Sequence, residues 1–224
     1  VITVATWNVL HRIHADNWGE DVAGNWPDEA KRVAAIAHRV AELTEDVIAL
    51  QEVSGDQLAA LRETGRTVHA MRYPRLPRPR VTTSQLTDDA EYLVLLVNGP
   101  SRELSQEAFP DDGGKGALAI TVEGLTVVAT HVSWGRKRVG QLTRLAALAP
   151  APAVLLGDFN ADAETVLAVL GDDFGAAELP PGEPTRGRQV IDHVIVHGAT
   201  ATNAQVLNAD GLSDHNPVRA TISY

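Results

Sequence analysis

A mixed α/β (α+β) fold is predicted from the order of apolar segments along the chain. Three observations carry it. Short β-branched or apolar runs recur throughout the 224 residues, helical patterns fall between some of them, and no compositional shift marks a boundary. The length and the 44% hydrophobic content suit one compact domain over residues 1–224 with a substantial core.

The expected strands are Ile2–Thr6, Val47–Leu50, Tyr92–Val97, Ala117–Val122, Thr126–Thr130, Ala153–Leu156, Val190–Val196 and Val218–Ile222. Each is bounded by turn residues. Asp28 to Leu43 places Ala30, Val33, Ala34, Ala37, Val40 and Ala41 on one helical face, with Pro27 near its start. Arg138 to Leu148 repeats apolar residues at helical spacing, and Ala163 to Leu170 does so behind a cap at Asp162. Arg72–Arg80 and Pro180–Arg188 are too rich in Pro to be regular elements. His11–Trp26 reads as a loop, either walling a pocket or anchored on the surface by two buried indoles, Trp18 and Trp26.

Bulk properties exclude several classes. There is no cysteine, hence no disulfide, thiolate metal site or Cys nucleophile. No run approaches the ~18 apolar residues of a membrane span, so a soluble protein without membrane insertion is expected. A cytoplasmic location is favoured. The chain starts at Val1 without a Met, so a trimmed leader and secretion remain open. A formal net charge of -10 opposes bulk attraction to nucleic acid, although carboxylates that bind a cation are counted in that sum.

Polar residues collect where apolar strands end. Asn8, Glu52, His131, Asp158 and Asn160 all follow such runs, and Asp192 lies within one. A lone acid there is usually a turn former. Several together repel one another unless a cation joins them, and hard oxygen donors without Cys suit Mg²⁺ or Mn²⁺. Alternation turns His193 away from the face of Asp192, which leaves it a half-buried strand residue. His215, in SDHNP, occupies a loop position suited to function.

The segments TWN (Thr6–Asn8), LQEV (Leu50–Val53), TH (Thr130–His131), GDFN (Gly157–Asn160), IDH (Ile191–His193) and SDH (Ser213–His215) occur in the order found in the endonuclease/exonuclease/phosphatase family. The chain resembles that family over nearly its whole length. The resemblance implies a two-sheet β-sandwich flanked by helices, a deoxyribonuclease-like four-layer architecture with the site at one end. It implies metal binding by Glu52 with Asn8 and Asp214, and a general base His215 oriented by Asp192. Asp158 and Asn160 resemble the pair that positions the nucleophile and a phosphate oxygen. In some family mechanisms the Asp158 equivalent is itself the base or the leaving-group acid. His131 resembles a phosphate or leaving-group contact, with Glu91 or Asp89 as its carboxylate partner.

The implied reaction is metal-dependent hydrolysis of a phosphoester, foremost a phosphodiester in a nucleic acid or nucleotide. A phosphatase or diesterase for a small sugar or inositol phosphate is the alternative, and a non-catalytic binding module of the same fold is a third reading. Candidate substrate contacts are Arg78 in the polybasic loop, Trp134, Arg136 and Arg138 just beyond His131, and Arg188, with Arg186 beside it. Trp134 and Tyr73 are candidates for stacking on a base. Low aromatic content makes a sphingomyelinase-like membrane role less expected. No protein partner is expected, and the protein is expected to be a monomer.

Overall fold

The computed structural model describes residues 1–81 and 83–224. Two six-stranded sheets face each other. The first contains β1 (Ile2–Asn8), β2 (Val47–Ser54), β3 (Thr67–Arg72), β4 (Glu91–Val97), β11 (Thr200–Val206) and β12 (Val218–Ser223), in the order β11-β12-β1-β2-β4-β3. The second contains β5 (Arg102–Phe109), β6 (Asp112–Val122), β7 (Leu125–His131), β8 (Ala153–Asp158), β9 (Phe174–Ala176) and β10 (Asp192–His197), in the order β5-β6-β7-β8-β10-β9. Helices α3 (Glu29–Glu42) and α4 (Gly55–Arg62) cover the outside of the first sheet. Helices α5 (Lys137–Leu148) and α6 (Ala163–Leu170) cover the outside of the second. These are the four layers expected from the resemblance.

Central strands are buried on both faces, which is why they read as continuous apolar runs. Val4, Val47, Ala49, Leu93 and Leu95 meet Leu118, Val127, Ala129, Val154 and Leu156 between the sheets. The alternate residues Ala5, Trp7, Ile48, Leu50 and Leu96 pack on Ile36, Val40, Leu58 and Leu61 of the helices. Tyr73 belongs to the inter-sheet core and is buried, so it cannot serve as the exposed stacking ring expected of it.

The sequence reading missed β3, β5, β9 and β11, which are short or lie at sheet edges and carry few buried apolar residues. It also missed α4, although Ser54 and Gln57 form a reciprocal capping box at its start. The stretch read as a loop at 11–26 holds two short helices, α1 (Arg12–Trp18) and α2 (Asp21–Asn25). Such short helices are marginal alone. Tertiary contacts hold them: buried Arg12 bonds Asp16 at 2.9 Å, Glu29 at 3.3 Å and the Trp26 carbonyl at 2.6 Å. Trp26 is half-buried, but Trp18 is exposed and joins no core cluster among the described residues.

One buried cation ties the helical layer to the strand ends. Arg32, on α3, spends all five N–H bonds inside the protein. Two go to Glu29 (2.8 Å each), and the others to the carbonyls of Val9 (3.0 Å), Leu10 (2.7 Å) and Leu212 (2.8 Å). It therefore holds together the loop after Asn8 and the loop before His215. Arg32→Ala is expected to lower the unfolding free energy by about 3–5 kcal/mol, because Glu29 and three carbonyls lose their partners in the interior. Urea denaturation measures this, and a loss below about 1 kcal/mol would contradict the assignment.

Candidate active site

Strand register assembles the site. Parallel pairing of β1 with β2, and of β7 with β8, brings the C-terminal ends of four strands to one end of the sandwich. Antiparallel β10 contributes its first residue there. His131 lies opposite Asp158 across β7–β8, and Asp158 opposite Asp192 across β8–β10. Cross-strand neighbours share a face, so the three side chains project together. Gly157 permits the close approach, since a Cβ there would stand 2.0 Å from the Thr130 carbonyl oxygen. His193 turns to the opposite face, and its Nε2 lies 2.8 Å from the Ala161 carbonyl.

Glu52 and Asn160 are aimed by the backbone. Glu52 occupies the register shift of β2 between Leu50 and Val53 at φ 56°, and Asn160 has φ 48°. Left-handed conformations are costly for side-chain-bearing residues and concentrate where side chains must be redirected. The Asn160 amide donates to Asp158 Oδ1 at 2.9 Å, and its Nδ2 donates to the Val132 carbonyl at 2.8 Å.

Asn8 Nδ2 donates to both Glu52 Oε1 (3.2 Å) and Asp158 Oδ2 (3.1 Å), joining the two sheets. Asp158 Oδ2 also lies 3.3 Å from His131 Nε2 and 3.8 Å from His215 Nε2. Asp192 grips His215 Nδ1 at 2.9 and 3.1 Å, and the Thr185 hydroxyl accepts from the Asp192 amide at 3.2 Å. His215 is held from behind as well, because the Trp7 indole N–H donates to its carbonyl at 2.9 Å.

Electrostatics follow from this crowding. Burial would raise the Asp158 pKa, but the neighbouring His131 and His215 rings and Lys115 hold it well below the ordinary carboxylate range. For Glu52, burial is likewise overcome, by His14, His131 and Lys115. Burial opposes protonation of His215, yet Asp192 and Asp158 push its pKa up to about 10. The site therefore stabilises positive charge wherever its carboxylates converge.

The donor set suits a divalent cation. Glu52 and Asp158 bring carboxylate oxygens to one amide nitrogen, and Asp214 Oδ1 is buried without a hydrogen-bond partner among the described residues. Its other oxygen accepts from Arg186 Nε at 2.8 Å. Asp158, Asp192 and His215 offer ligand atoms within 4.8 Å of one another, but His215 Nδ1 already bonds Asp192.

Glu52, His131, Asp158, Asn160, Asp214 and His215 open into a cleft of about 1100 Å³, which Arg78 and Trp134 also line. A smaller adjoining cleft receives Arg138, again with Trp134. Arg136 and Arg188 are exposed and line neither cleft, while Arg186 lines both. Glu91 is not the partner of His131. It is buried and bonds His14 Nε2 at 2.9 Å, because α1 delivers that ring to it. Asp89 does not take the role either, since its Oδ1 accepts from Ser84. Lys115 went unrecognised: it projects from β6 against the His131 ring, with Nζ 2.5 Å from Nε2 and 3.2 Å from Nδ1. Only its place in a strand predicted to start five residues too late could have revealed it.

Residues 5–215 match the model of the Endonuclease/Exonuclease/phosphatase family. The chain belongs to that family, and phosphoester hydrolysis is its general activity. A search among curated proteins finds no match. Among solved structures, a functionally unknown conserved protein from Enterococcus faecalis V583 is 18% identical, with TM-score 0.72 and 99% of each chain covered. An endonuclease/exonuclease/phosphatase from Bacteroides vulgatus is 17% identical, with TM-score 0.70, covering 99% of this chain and 98% of that one. D. rerio TDP2 complexed with a single strand DNA product is 17% identical, with TM-score 0.68, covering 100% and 99%. No helix among the described residues is long and apolar enough to cross a membrane.

Gly157→Ala is expected to force β7 from β8. The predicted loss is about 1–3 kcal/mol in urea unfolding, with turnover falling as His131 and Asp158 move out of register. An unchanged midpoint together with unchanged turnover would refute the close-approach argument.

Proposed function

We propose that this protein is a divalent-metal-dependent phosphodiesterase whose substrate is a nucleic acid or nucleotide. The observation that carries the reading is His215, gripped at Nδ1 by Asp192 with Nε2 turned toward Asp158 in the cleft. That is the arrangement of an oriented general base.

In this mechanism Asp192 keeps the Nδ1–H tautomer and steadies the imidazolium that forms. His215 Nε2 accepts the proton of the attacking water, and Asp158 orients that water. Asn160 and His131 donate to phosphoryl oxygens, where charge accumulates during in-line displacement. Lys115, which lines the cleft with its Nζ at Nε2 of His131, adds positive charge beside that ring. Glu52 and Asp214, with Asn8 beside them, would hold Mg²⁺ or Mn²⁺, which would supply Lewis-acid neutralisation of the charge on the phosphate. The single strand DNA product bound by D. rerio TDP2 supports the choice of a nucleic acid over other phosphoesters.

The test is metal-activated turnover of a single-stranded oligonucleotide, plasmid DNA and a panel of small phosphoesters. The oligonucleotide is expected to be cleaved. Glu52→Gln and His215→Ala should each reduce the rate by about 10²–10⁴-fold, as should EDTA, with Mg²⁺ or Mn²⁺ restoring it. Cleavage confined to small monoesters would replace this reading with a metabolite phosphatase. Unchanged activity in both variants would end the enzymatic reading.

A further inference from the structure

The four tryptophans divide into two kinds. Trp7 is buried in the core and Trp26 packs against it, whereas Trp18 and Trp134 are 69% and 73% exposed and join no core cluster. Both exposed indoles line the cleft that holds Asp158 and His215. They reach it from different halves of the molecule: Trp18 ends α1, between β1 and β2, and Trp134 lies between β7 and α5. Leaving two large aromatic surfaces in water forgoes their burial energy, and the fold gains nothing from it.

The surroundings of Trp18 are built. Asn17 Nδ2 donates to the Arg78 carbonyl at 3.0 Å, and Asn17 Oδ1 accepts from the Arg80 amide at 2.8 Å. One side chain thereby clamps the polybasic loop to the end of α1. The clamp sets the Arg80 guanidinium 5.9 Å from the centre of the Trp18 ring, and the exposure of that indole leaves its other face open. Arg75 pairs with Asp112 at 2.9 Å and Arg186 with Asp214 at 2.8 Å. Among the described residues, neither Arg78 nor Arg80 is paired with a carboxylate. In a chain of net charge -10, two uncompensated guanidinium groups at the cleft mouth are a local anion site.

We propose that Trp18 and Trp134 are stacking platforms for unpaired bases of a single-stranded polynucleotide, with Arg78 and Arg80 on its phosphates. This rests on the phosphodiesterase reading above and narrows its substrate. A duplex hides its base faces in its own stack, while a single strand offers them to an indole without regard to sequence. Asn17 is a positioning residue for this subsite.

The test is binding of a thymidine decamer, an abasic decamer with the same number of phosphates and a duplex of the decamer, followed by tryptophan fluorescence with hydrolysis arrested by EDTA. The thymidine strand is expected to quench emission and to bind more tightly than the other two. Trp18→Leu and Trp134→Leu should each weaken it by about 5–150-fold, the worth of one stacked base, and leave abasic binding unchanged. Trp18→Phe should retain part of the affinity. Arg78→Gln and Arg80→Gln should weaken all strands alike and flatten the salt dependence. Because both indoles are exposed, unfolding midpoints should stay at the parental value. Equal affinity for thymidine and abasic strands, or duplex binding as tight as single-strand binding, would overturn the proposal. Turnover measured separately with Mg²⁺ distinguishes that failure from failure of the phosphodiesterase reading: cleavage of thymidine and abasic strands at equal rates defeats the platforms alone.

Discussion

The constraint on which the site depends is strand register. A strand buried on both faces cannot slip by one residue without inverting which side chains meet each core, and β1, β2, β7, β8 and β10 are all of this kind. The large hydrophobic interior thus fixes where His131, Asp158 and Asp192 emerge. No loop has to find that geometry. Loops add what the sheets cannot, namely His215 and Asp214 on one side and Asn160 on the other.

Assembling buried carboxylates at one sheet end is unfavourable without compensation. Here the compensation is distributed. Asn8 donates to two acids in different sheets, His131 and His215 flank Asp158, and Thr185 supports Asp192. Arg32 lies farther back and makes no contact with the acids, yet it sets the spacing of the backbone segments that bear Asn8 and His215. The indole of Trp7 does similar work by a different bond. Motif residues such as Trp7 and Gly157 are therefore scaffold to the chemistry and do not take part in it.

Much of the layer architecture was legible because central strands and amphipathic helices announce themselves by apolar content and period. Helix α6 and its Asp162 cap agree with the reading residue for residue. Edge strands such as β5 and β11 were not legible, since polar residues alternate with small ones where only one face is covered. Within the site, strand-end acids and histidines were legible because each interrupts an apolar run. Their partners were not. Glu91 took His14 in place of His131 because a helix formed where Gly, Asn and charged residues suggested a loop. Lys115 escaped notice because two glycines beside it mask the start of β6. Of the basic residues, sequence adjacency favoured Arg188 over Arg186, but strand alternation and the bridge from Arg186 to His215 decide which one enters the cleft.

Glu52 has a wider meaning. Its backbone occupies the left-handed region inside a strand irregularity, a conformation that glycine would adopt without cost. The backbone alone is therefore easier for glycine at that position, while the Glu52 carboxylate accepts from Asn8 Nδ2 and from the His11 amide. Position 52 is where backbone ease and the polar cluster pull in opposite directions. Glycine there would relax the strand while stranding two donors that now end on the Glu52 carboxylate.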